Sequence, residues 1–224
     1  MKVVMKKRKA LLILLTLLVI SVGLVINVMI ANNRPIVCID AGHGGTDVGA
    51  VLKDRYEKDD TLKVAKLVER ELKKQKIKVI MTRKKDKTIS LEDRCKIANQ
   101  KRADMFVSIH RNSATSGNGI EIWVNSKKDD KEIELANSIL QKIEKTNISN
   151  NRGVKYGTIG GEDTDYYVLK NTQMPSCLIE LGFITNQKDN DLLDKNIKNY
   201  AKAIADGIIE QLNQLEENDS SAGE

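Results

Sequence analysis

The stretch IVCIDAGHGGTDVGA, residues 36–50, begins with an apolar, β-prone run and continues into a glycine-rich loop around His43. The apolar run predicts a first buried strand. The loop could be a phosphate-binding loop, a nucleophile elbow or one corner of a metal site. It lacks the GxGxxG order and the Lys-Ser/Thr pair of phosphate loops, and it has no Gly-x-Ser-x-Gly. A metal site therefore fits this stretch better than the other two interpretations.

Strand and helix signals alternate along the rest of the chain. Apolar, β-prone runs predict further strands at 77–83, 104–110, 119–125, 165–171 and 176–183. Helical periodicity is found at 59–75, 90–103, 131–146 and about 196–215. We expect Asp59 or Asp60 to cap the first helix and Ser90 the second, and the alternating strand at 119–125 to be half-exposed. The alternation predicts an α/β fold, a three-layer sandwich with a mostly parallel central sheet flanked by helices.

Three polar residues fall where such sheets place their sites, beyond the carboxyl ends of strands. His43 follows the first strand, His110 ends the strand at 104–110, and Glu180 lies towards the end of the last. Two imidazoles and a carboxylate would form the three-ligand zinc site of hydrolases, with an open fourth position. A lone histidine is more often a hydrogen-bonded polar residue than a ligand. Glu180 could also form an ion pair with Arg83 or Arg94, so the residues alone leave both interpretations open.

The N-terminal region has the pattern of a membrane anchor. A basic segment at 1–9 precedes an uncharged apolar segment at 10–30. Its length suits a transmembrane helix and exceeds the apolar region of a signal peptide, which favours an uncleaved anchor or signal over a cleaved signal peptide. The basic segment at 1–9 carries five positive charges, so the rest of the chain has a net charge of only +1 out of the total of +6. This small net charge argues against a nucleic-acid partner. The positive-inside rule then places the domain at 33–216 outside the cytoplasm. The acidic tail at 217–224 is expected to be disordered.

Four segments carry a family resemblance: IDAGHGGTDVGA (39–50), YEKDDTLKVAKLVERELKK (56–74), VIMTRKKDKTISLEDRCKIANQKRADMFVSIHRN (79–112) and VLKNTQMPSCLIELGFITNQKDNDLL (168–193). In order and spacing they resemble the zinc-dependent N-acetylmuramoyl-L-alanine amidases of the Amidase_3 family, from about Pro35 to about Gln211. The resemblance implies that His43, Glu57 and His110 bind Zn²⁺ and that Glu180 is the catalytic acid/base. It also implies the bond that is cleaved, the amide between the lactyl group of N-acetylmuramic acid and L-alanine of peptidoglycan.

Other residues are interpreted as supporting ones. Asp40 and Asp47 flank His43, and either could orient its imidazole or cap a turn. Arg94 and Asn112 match family positions near the motifs. Tight turns are expected at Gly44, Gly45 and Gly182. The three cysteines are read as buried apolar residues, although an odd number outside the cytoplasm can also indicate a free or intermolecular thiol: Cys38, Cys95 and Cys177.

The layout of one minimal domain behind an anchor is similar to the germination-specific, CwlD-like branch of the family. That similarity implies a membrane-anchored enzyme on the cell wall side, in the forespore intermembrane space if the substrate is spore cortex. Peptidoglycan and the membrane are the expected partners, and the need for an accessory protein stays open. The alternatives are another zinc peptidase or amidohydrolase of cell-wall peptides, or a degenerate wall-binding regulator. All four site residues are present, which argues against degeneration.

Overall fold

We describe the protein from a computed structural model, which covers residues 16–22, 34–127, 129–146, 150–161 and 164–221. The chain forms two units, Met1–Arg34 and Pro35–Glu224. In the first unit, residues 16–22 are helical, and the rest of the expected anchor at 10–30 lies outside the described residues. Within the described ranges, no helix is both long and apolar enough to cross a membrane.

The second unit is built on a six-stranded sheet. Its strands are β1 Ile36–Ala41, β4 Lys78–Met81, β5 Met105–Asn112, β6 Ile120–Val124, β7 Asn151–Tyr156 and β8 Ser176–Phe183. Their order across the sheet is β4-β1-β5-β8-β6-β7. A separate hairpin consists of β2 Val51–Leu52 and β3 Arg55–Tyr56. The strands β4, β1, β5 and β8 are parallel, whereas β6 runs antiparallel to β8 and parallel to β7. The predicted α/β class with a mostly parallel sheet is confirmed.

Helices cover both faces of this sheet. They are α1 Glu57–Lys74, α2 Leu91–Gln100, α3 Asp130–Glu144, α4 Tyr167–Asn171 and α5 Gln187–Ser221. Side chains alternate along β1, so that Val37 and Ile39 belong to the apolar cluster formed with α1, α3 and α5, whereas Cys38 belongs to the cluster formed with α2 and α4. All three cysteines are free and buried, as expected. Burial raises the pKa of Cys95 to about 11.

Two strand predictions need correction. Residues 165–171 were expected to form a strand, but Tyr167–Asn171 is helical, and Val168 and Leu169 are buried side by side. Short apolar runs fit a buried helical turn as well as a strand. The strand β6 was expected to be half-exposed, yet every residue in it is buried, because it lies between β8 and β7 and packs against α3. The edge strand β7 was missed because Gly153 and exposed polar residues interrupt its apolar pattern.

The helix ends also differ from those predicted. The first helix begins at Glu57, so Tyr56 occupies the N-cap position without a side-chain hydrogen bond, and the expected caps Asp59 and Asp60 lie inside the first turn. By contrast, Ser90 accepts a hydrogen bond from the Asp93 N–H, as predicted. Residues Gln187–Ser221 are helical but kinked at Asn196, whose backbone is non-helical. The second helical segment therefore begins near the predicted start at about Asn196, and the segment before it was missed. Residues 217–221 of the expected disordered tail are helical, since no glycine or proline interrupts them, and residues 222–224 lie outside the described residues.

Candidate metal centre and active site

The candidate site lies at the edge of the sheet where the parallel strands end. His43 is in the loop after β1, Glu57 is the first residue of α1, and His110 lies near the end of β5. One ligand atom from each of these three residues lies within 4.8 Å of the others. The chain thus brings together the three residues that the sequence predicted as metal ligands, although Glu57 and His110 are 53 positions apart.

The carboxylate of Glu57 is the centre of this cluster. Its Oε1 atom lies 3.1 Å from His43 Nε2 and 3.0 Å from His110 Nδ1, and it accepts a 2.9 Å hydrogen bond from the Arg111 N–H. Its Oε2 atom accepts a 2.8 Å hydrogen bond from the Ala50 N–H. The carboxylate is therefore held from both sides while both imidazoles point at it. Two imidazole nitrogens and one carboxylate oxygen are a usual donor set for zinc, so the residues present fit such an ion.

Interactions within the cluster favour the charged forms of Glu57 and His43. Burial opposes ionisation of Glu57, but hydrogen bonds and charge interactions with His110 and His43 outweigh it and hold the pKa of this carboxyl far below its usual value. Burial likewise lowers the pKa of His43, whereas Glu57 and Asp47 raise it, and their effect is the larger one. The site therefore keeps Glu57 ionised, which is the state in which a carboxylate binds a metal.

Glycines provide space around the ligands. A Cβ atom on Gly42 would lie 2.5 Å from the His110 ring, and one on Gly49 would lie 2.6 Å from Glu57 Oε2. The loop does not form a phosphate cradle, because the N–H groups of Gly44, Gly45 and Thr46 already have partners. The Gly45 N–H donates to Asp86 and the Thr46 N–H to Thr88.

The two aspartates beside His43 have different roles. Asp47 places both carboxylate oxygens 2.9 Å from His43 Nδ1, so it orients the imidazole and leaves Nε2 for the centre. Asp40 is buried and accepts hydrogen bonds from Thr82, Ser108 and Arg94 instead. The sequence could not separate these roles, because both aspartates are three or four residues from His43.

Glu180 lies opposite His110 in the register of β5 and β8. It is only 9% exposed, and its Oε2 atom has no hydrogen-bond partner within the described part of the chain. Burial and the charges of Glu57 and Glu121 raise its pKa well above the usual value, against a smaller opposing effect of Arg111. The ion pairs considered for Glu180 do not form: Arg94 pairs with Asp40, and Arg83 donates to backbone carbonyls. Glu180 is thus an unpaired buried carboxyl beside the candidate ligands.

These groups line a cavity of about 580 Å³. Sequence reasoning missed several of its lining residues, among them Glu121, Leu91, Ile159, Tyr166 and Tyr167. Glu121 could have been noticed, since it is a charged residue within an otherwise apolar strand. It lies opposite Glu180 and accepts hydrogen bonds from Asn112, Trp123 and Arg152. The fold and the site together are those of a candidate metallohydrolase.

Known proteins identify the family. Residues 37–210 match the family described as N-acetylmuramoyl-L-alanine amidase. The endolysin of Bacillus phage SPP1 is 35% identical over 196 residues, which cover 84% of this chain and 69% of the endolysin. The chain therefore belongs to the N-acetylmuramoyl-L-alanine amidase family and is an amidase of peptidoglycan.

Solved structures agree with this assignment. The catalytic domain of CwlV, an N-acetylmuramoyl-L-alanine amidase from Bacillus (Paenibacillus) polymyxa var. colistinus, superposes with a TM-score of 0.72 at 36% identity, covering 80% of this chain and 99% of that one. The CwlD amidase from Clostridioides difficile, solved in complex with the GerS lipoprotein, superposes with a TM-score of 0.74 at 30% identity, again covering 80% and 99%.

Proposed function

We propose that the chain is a zinc-dependent amidase that cleaves the bond between the lactyl group of N-acetylmuramic acid and L-alanine. The observation that carries this proposal is the convergence of His43, Glu57 and His110 beside Glu180, whose Oε2 atom has no hydrogen-bond partner within the described ranges. A zinc ion held by these three residues would supply Lewis acidity, which acidifies water and polarises a carbonyl oxygen.

The residues of the chain provide the remaining chemistry. Glu180 lines the cavity, and its Oε2 atom has no hydrogen-bond partner among the residues that the structure describes, so this oxygen is available to a water molecule there. As a general base it takes a proton from the water that attacks the amide carbonyl carbon. As a general acid it then gives that proton to the nitrogen of L-alanine as the C–N bond breaks. Its raised pKa favours the protonated form, which suits the second of these steps, the donation of a proton to the leaving amine.

The first test replaces the proton carrier and keeps the ligands. We expect Glu180→Gln, and likewise Glu180→Ala, to retain one zinc per chain and to lose hydrolysis by about 10²–10⁴-fold, because only proton transfer is removed. Metal analysis of the purified protein by inductively coupled plasma measures the zinc, and peptidoglycan digestion measures turnover. Wild-type turnover in either variant would remove Glu180 from this role. A wild-type protein without zinc would contradict the metal assignment.

The products of digestion separate the alternatives. An N-acetylmuramoyl-L-alanine amidase releases peptides whose free N-terminus is L-alanine. Release at another residue of the peptide would indicate a different zinc peptidase, and wall binding without release would indicate a regulator that has lost activity.

We also propose a location and a setting for the enzyme. The basic residues at 1–9 and the apolar segment at 10–30 support a membrane anchor with the catalytic unit on the wall side. The layout, which resembles the germination-specific, CwlD-like branch, supports a role in spore cortex maturation or germination. The complex of the CwlD amidase with the GerS lipoprotein supports an accessory protein here. Comparing digestion of cortex and vegetative peptidoglycan tests the setting, since a cortex enzyme prefers the former. Measuring zinc binding and turnover with and without a candidate lipoprotein partner tests the need for an accessory protein, since either quantity should increase when the partner is added.

A further inference from the structure

Three consecutive backbone carbonyls around His43 point at two buried arginine side chains. The Ala41 carbonyl accepts hydrogen bonds from Arg83 Nε at 2.9 Å and from Arg94 Nη1 at 2.8 Å. The Gly42 carbonyl accepts one from Arg83 Nη2 at 2.8 Å, and the His43 carbonyl accepts one from Arg94 Nη2 at 2.7 Å. We call Arg83 and Arg94 the arginine clamp. It holds every carbonyl from the end of β1 to the first candidate ligand.

The surroundings of Arg83 suggest that its position serves this loop. The side chain is only 3% exposed, and no ion pair with a carboxylate is found for it in the described ranges. Its donors instead reach neutral oxygens, including the Lys58 carbonyl at 2.8 Å and Thr61 Oγ1 at 3.1 Å. Burial lowers its pKa, and the charge of Arg94 lowers it further. Burying a guanidinium without a carboxylate partner is unfavourable. The gain that the structure shows in return is the ordering of the backbone carbonyls that accept hydrogen bonds from Arg83.

The backbone of His43 explains why such order is needed. His43 has φ = +60°, the left-handed region that residues other than glycine rarely occupy. A conformation of this kind persists only where the surroundings impose it. Asp47 fixes the orientation of the imidazole ring. The position of the ring also depends on the backbone of His43, and the arginine clamp holds the backbone carbonyls before and after its Cα atom.

We propose that Arg83 and Arg94 are positioning residues that hold the His43 backbone in its left-handed conformation and thereby strengthen zinc binding. This inference rests on the proposed function, because it takes zinc as the ion. The clamp acts through geometry and not through charge, since two guanidinium charges near the site would repel a divalent cation. A planar guanidinium bonds two neighbouring carbonyls at once, whereas the ammonium of lysine keeps the charge but loses this fork.

Arg→Lys variants of the full chain therefore separate geometry from charge. We expect Arg83→Lys and Arg94→Lys to weaken zinc binding by about 10–100-fold, the usual range for residues that orient a ligand. The matched control is Arg55→Lys, which removes a guanidinium that binds Asp60 and Asp194 but does not contact the loop. Zinc affinity is measured by competition with a chromophoric chelator, and thermal unfolding of the metal-free proteins reports folding.

The control is expected to stay within about twofold of wild type in zinc affinity, even if it unfolds at a lower temperature. Wild-type affinity in folded Arg83→Lys and Arg94→Lys overturns the inference and leaves the proposed function intact. A wild-type protein that binds no zinc fails the proposed function itself. If the lysine variants do not fold, Thr61→Val replaces them, because Thr61 Oγ1 donates to the Gly42 carbonyl at 2.8 Å and accepts from Arg83. Unchanged zinc affinity in folded Thr61→Val, with Thr61→Ser as its control, then overturns the inference.

Discussion

Glu180 combines features that stability alone would not favour. It is a carboxyl within a buried strand, close to the charges of Glu57 and Glu121 and without a hydrogen bond to one of its oxygens in the described residues. Burying a carboxylate in this way costs free energy of folding, so the protonated form is the one that the metal-free protein tolerates. Functional sites often contain such groups, because a reaction can need a side chain whose charge and hydrogen bonds the fold leaves without partners.

The raised pKa of Glu180 predicts a pH dependence of stability in the metal-free protein. A group whose pKa is higher in the folded state contributes stability that is fully present below its unfolded pKa, near 4.5, and is lost as the pH rises through the folded value. We expect Glu180→Gln, which cannot ionise, to lose less stability than wild type as the pH rises from about 4.5 towards the raised folded pKa. Urea unfolding at several pH values in a chelator measures this. Parallel pH profiles would contradict it.

Replacing Gly49 by alanine tests whether this glycine provides space for the candidate ligands, and Gly153 provides a control for backbone strain alone. Gly49 and Gly153 have similar positive φ values, +67° and +86°. A Cβ on Gly49 would lie 2.6 Å from Glu57 Oε2 and 2.7 Å from the His43 ring, whereas a Cβ on Gly153 meets nothing within 4 Å. We expect both alanine variants to lose about 1 kcal/mol of stability from the left-handed backbone. Only Gly49→Ala should also weaken zinc binding, by tenfold or more.

Zinc competition and urea unfolding of both variants measure these effects. Equal zinc affinity in the two variants would show that Gly49 does not provide space for the ligands.

At this scale, the sequence predicted which residues meet but not how they are held. His43, His110 and Glu180 follow from strand ends, and Glu57 follows from the family motif. The left-handed backbone of His43 and the bonds from Arg83 could not be predicted, because their partners lie about 40 positions away and no local pattern marks them. Glu121 was visible as a charge in a strand, but only the register of β6 and β8 places it beside Glu180.

Among the secondary-structure elements, Asp40 links four of them at once. It lies on β1 and accepts hydrogen bonds from Thr82 after β4 at 2.6 Å, Ser108 on β5 at 2.7 Å and Arg94 on α2 at 2.6 Å. Burial raises the pKa of Asp40, but Arg94 and the two hydroxyl groups outweigh it and lower the pKa below its usual value. Its ionisation therefore stabilises the fold above about pH 4, and that stability is lost as the pH falls through the lowered folded pKa.

We expect Asp40→Asn to lower the free energy of unfolding at pH 7 by about 3–5 kcal/mol, because it leaves the buried Arg94 guanidinium without its carboxylate. The control is Asp206→Asn, which breaks an exposed pair with Lys202 and should cost about 0–1 kcal/mol. Urea unfolding of the three proteins checks the difference. An Asp40→Asn variant within 1 kcal/mol of wild type would show that these elements do not depend on the pair.

The elements that the sequence predicted well are those with long or strongly apolar patterns, such as β1, β5, β8, α1 and α3. Those that it missed draw their stability from tertiary contacts. The short helix α4 packs Val168 and Leu169 against the core beside α2, a contact that its own five residues do not reveal. The edge strand β7 pairs only with β6, so much of it stays exposed and its pattern is weak.

For the location of the whole molecule, the distribution of charge along the chain is more informative than the net charge. Five of the positive charges lie in the first ten residues, and the remaining chain carries a net charge of only +1 out of the total of +6. The residues from Pro35 onwards form a unit of their own with a complete sheet, two apolar clusters and all four site residues. Folding and catalysis are thus expected to depend on this unit, and location on the segment before it.

A truncated chain, Pro35–Glu224, tests this division. We expect it to fold, to bind zinc with the affinity of the full chain and to remain in the supernatant after cell lysis and ultracentrifugation. The full chain should sediment with membranes and be released by detergent but not by 1 M salt, because an apolar segment that spans a bilayer is held by burial of its side chains and not by charge. Release of the full chain by salt would indicate that only the basic residues bind the membrane surface. A full chain found in the supernatant without any treatment would contradict the anchor itself.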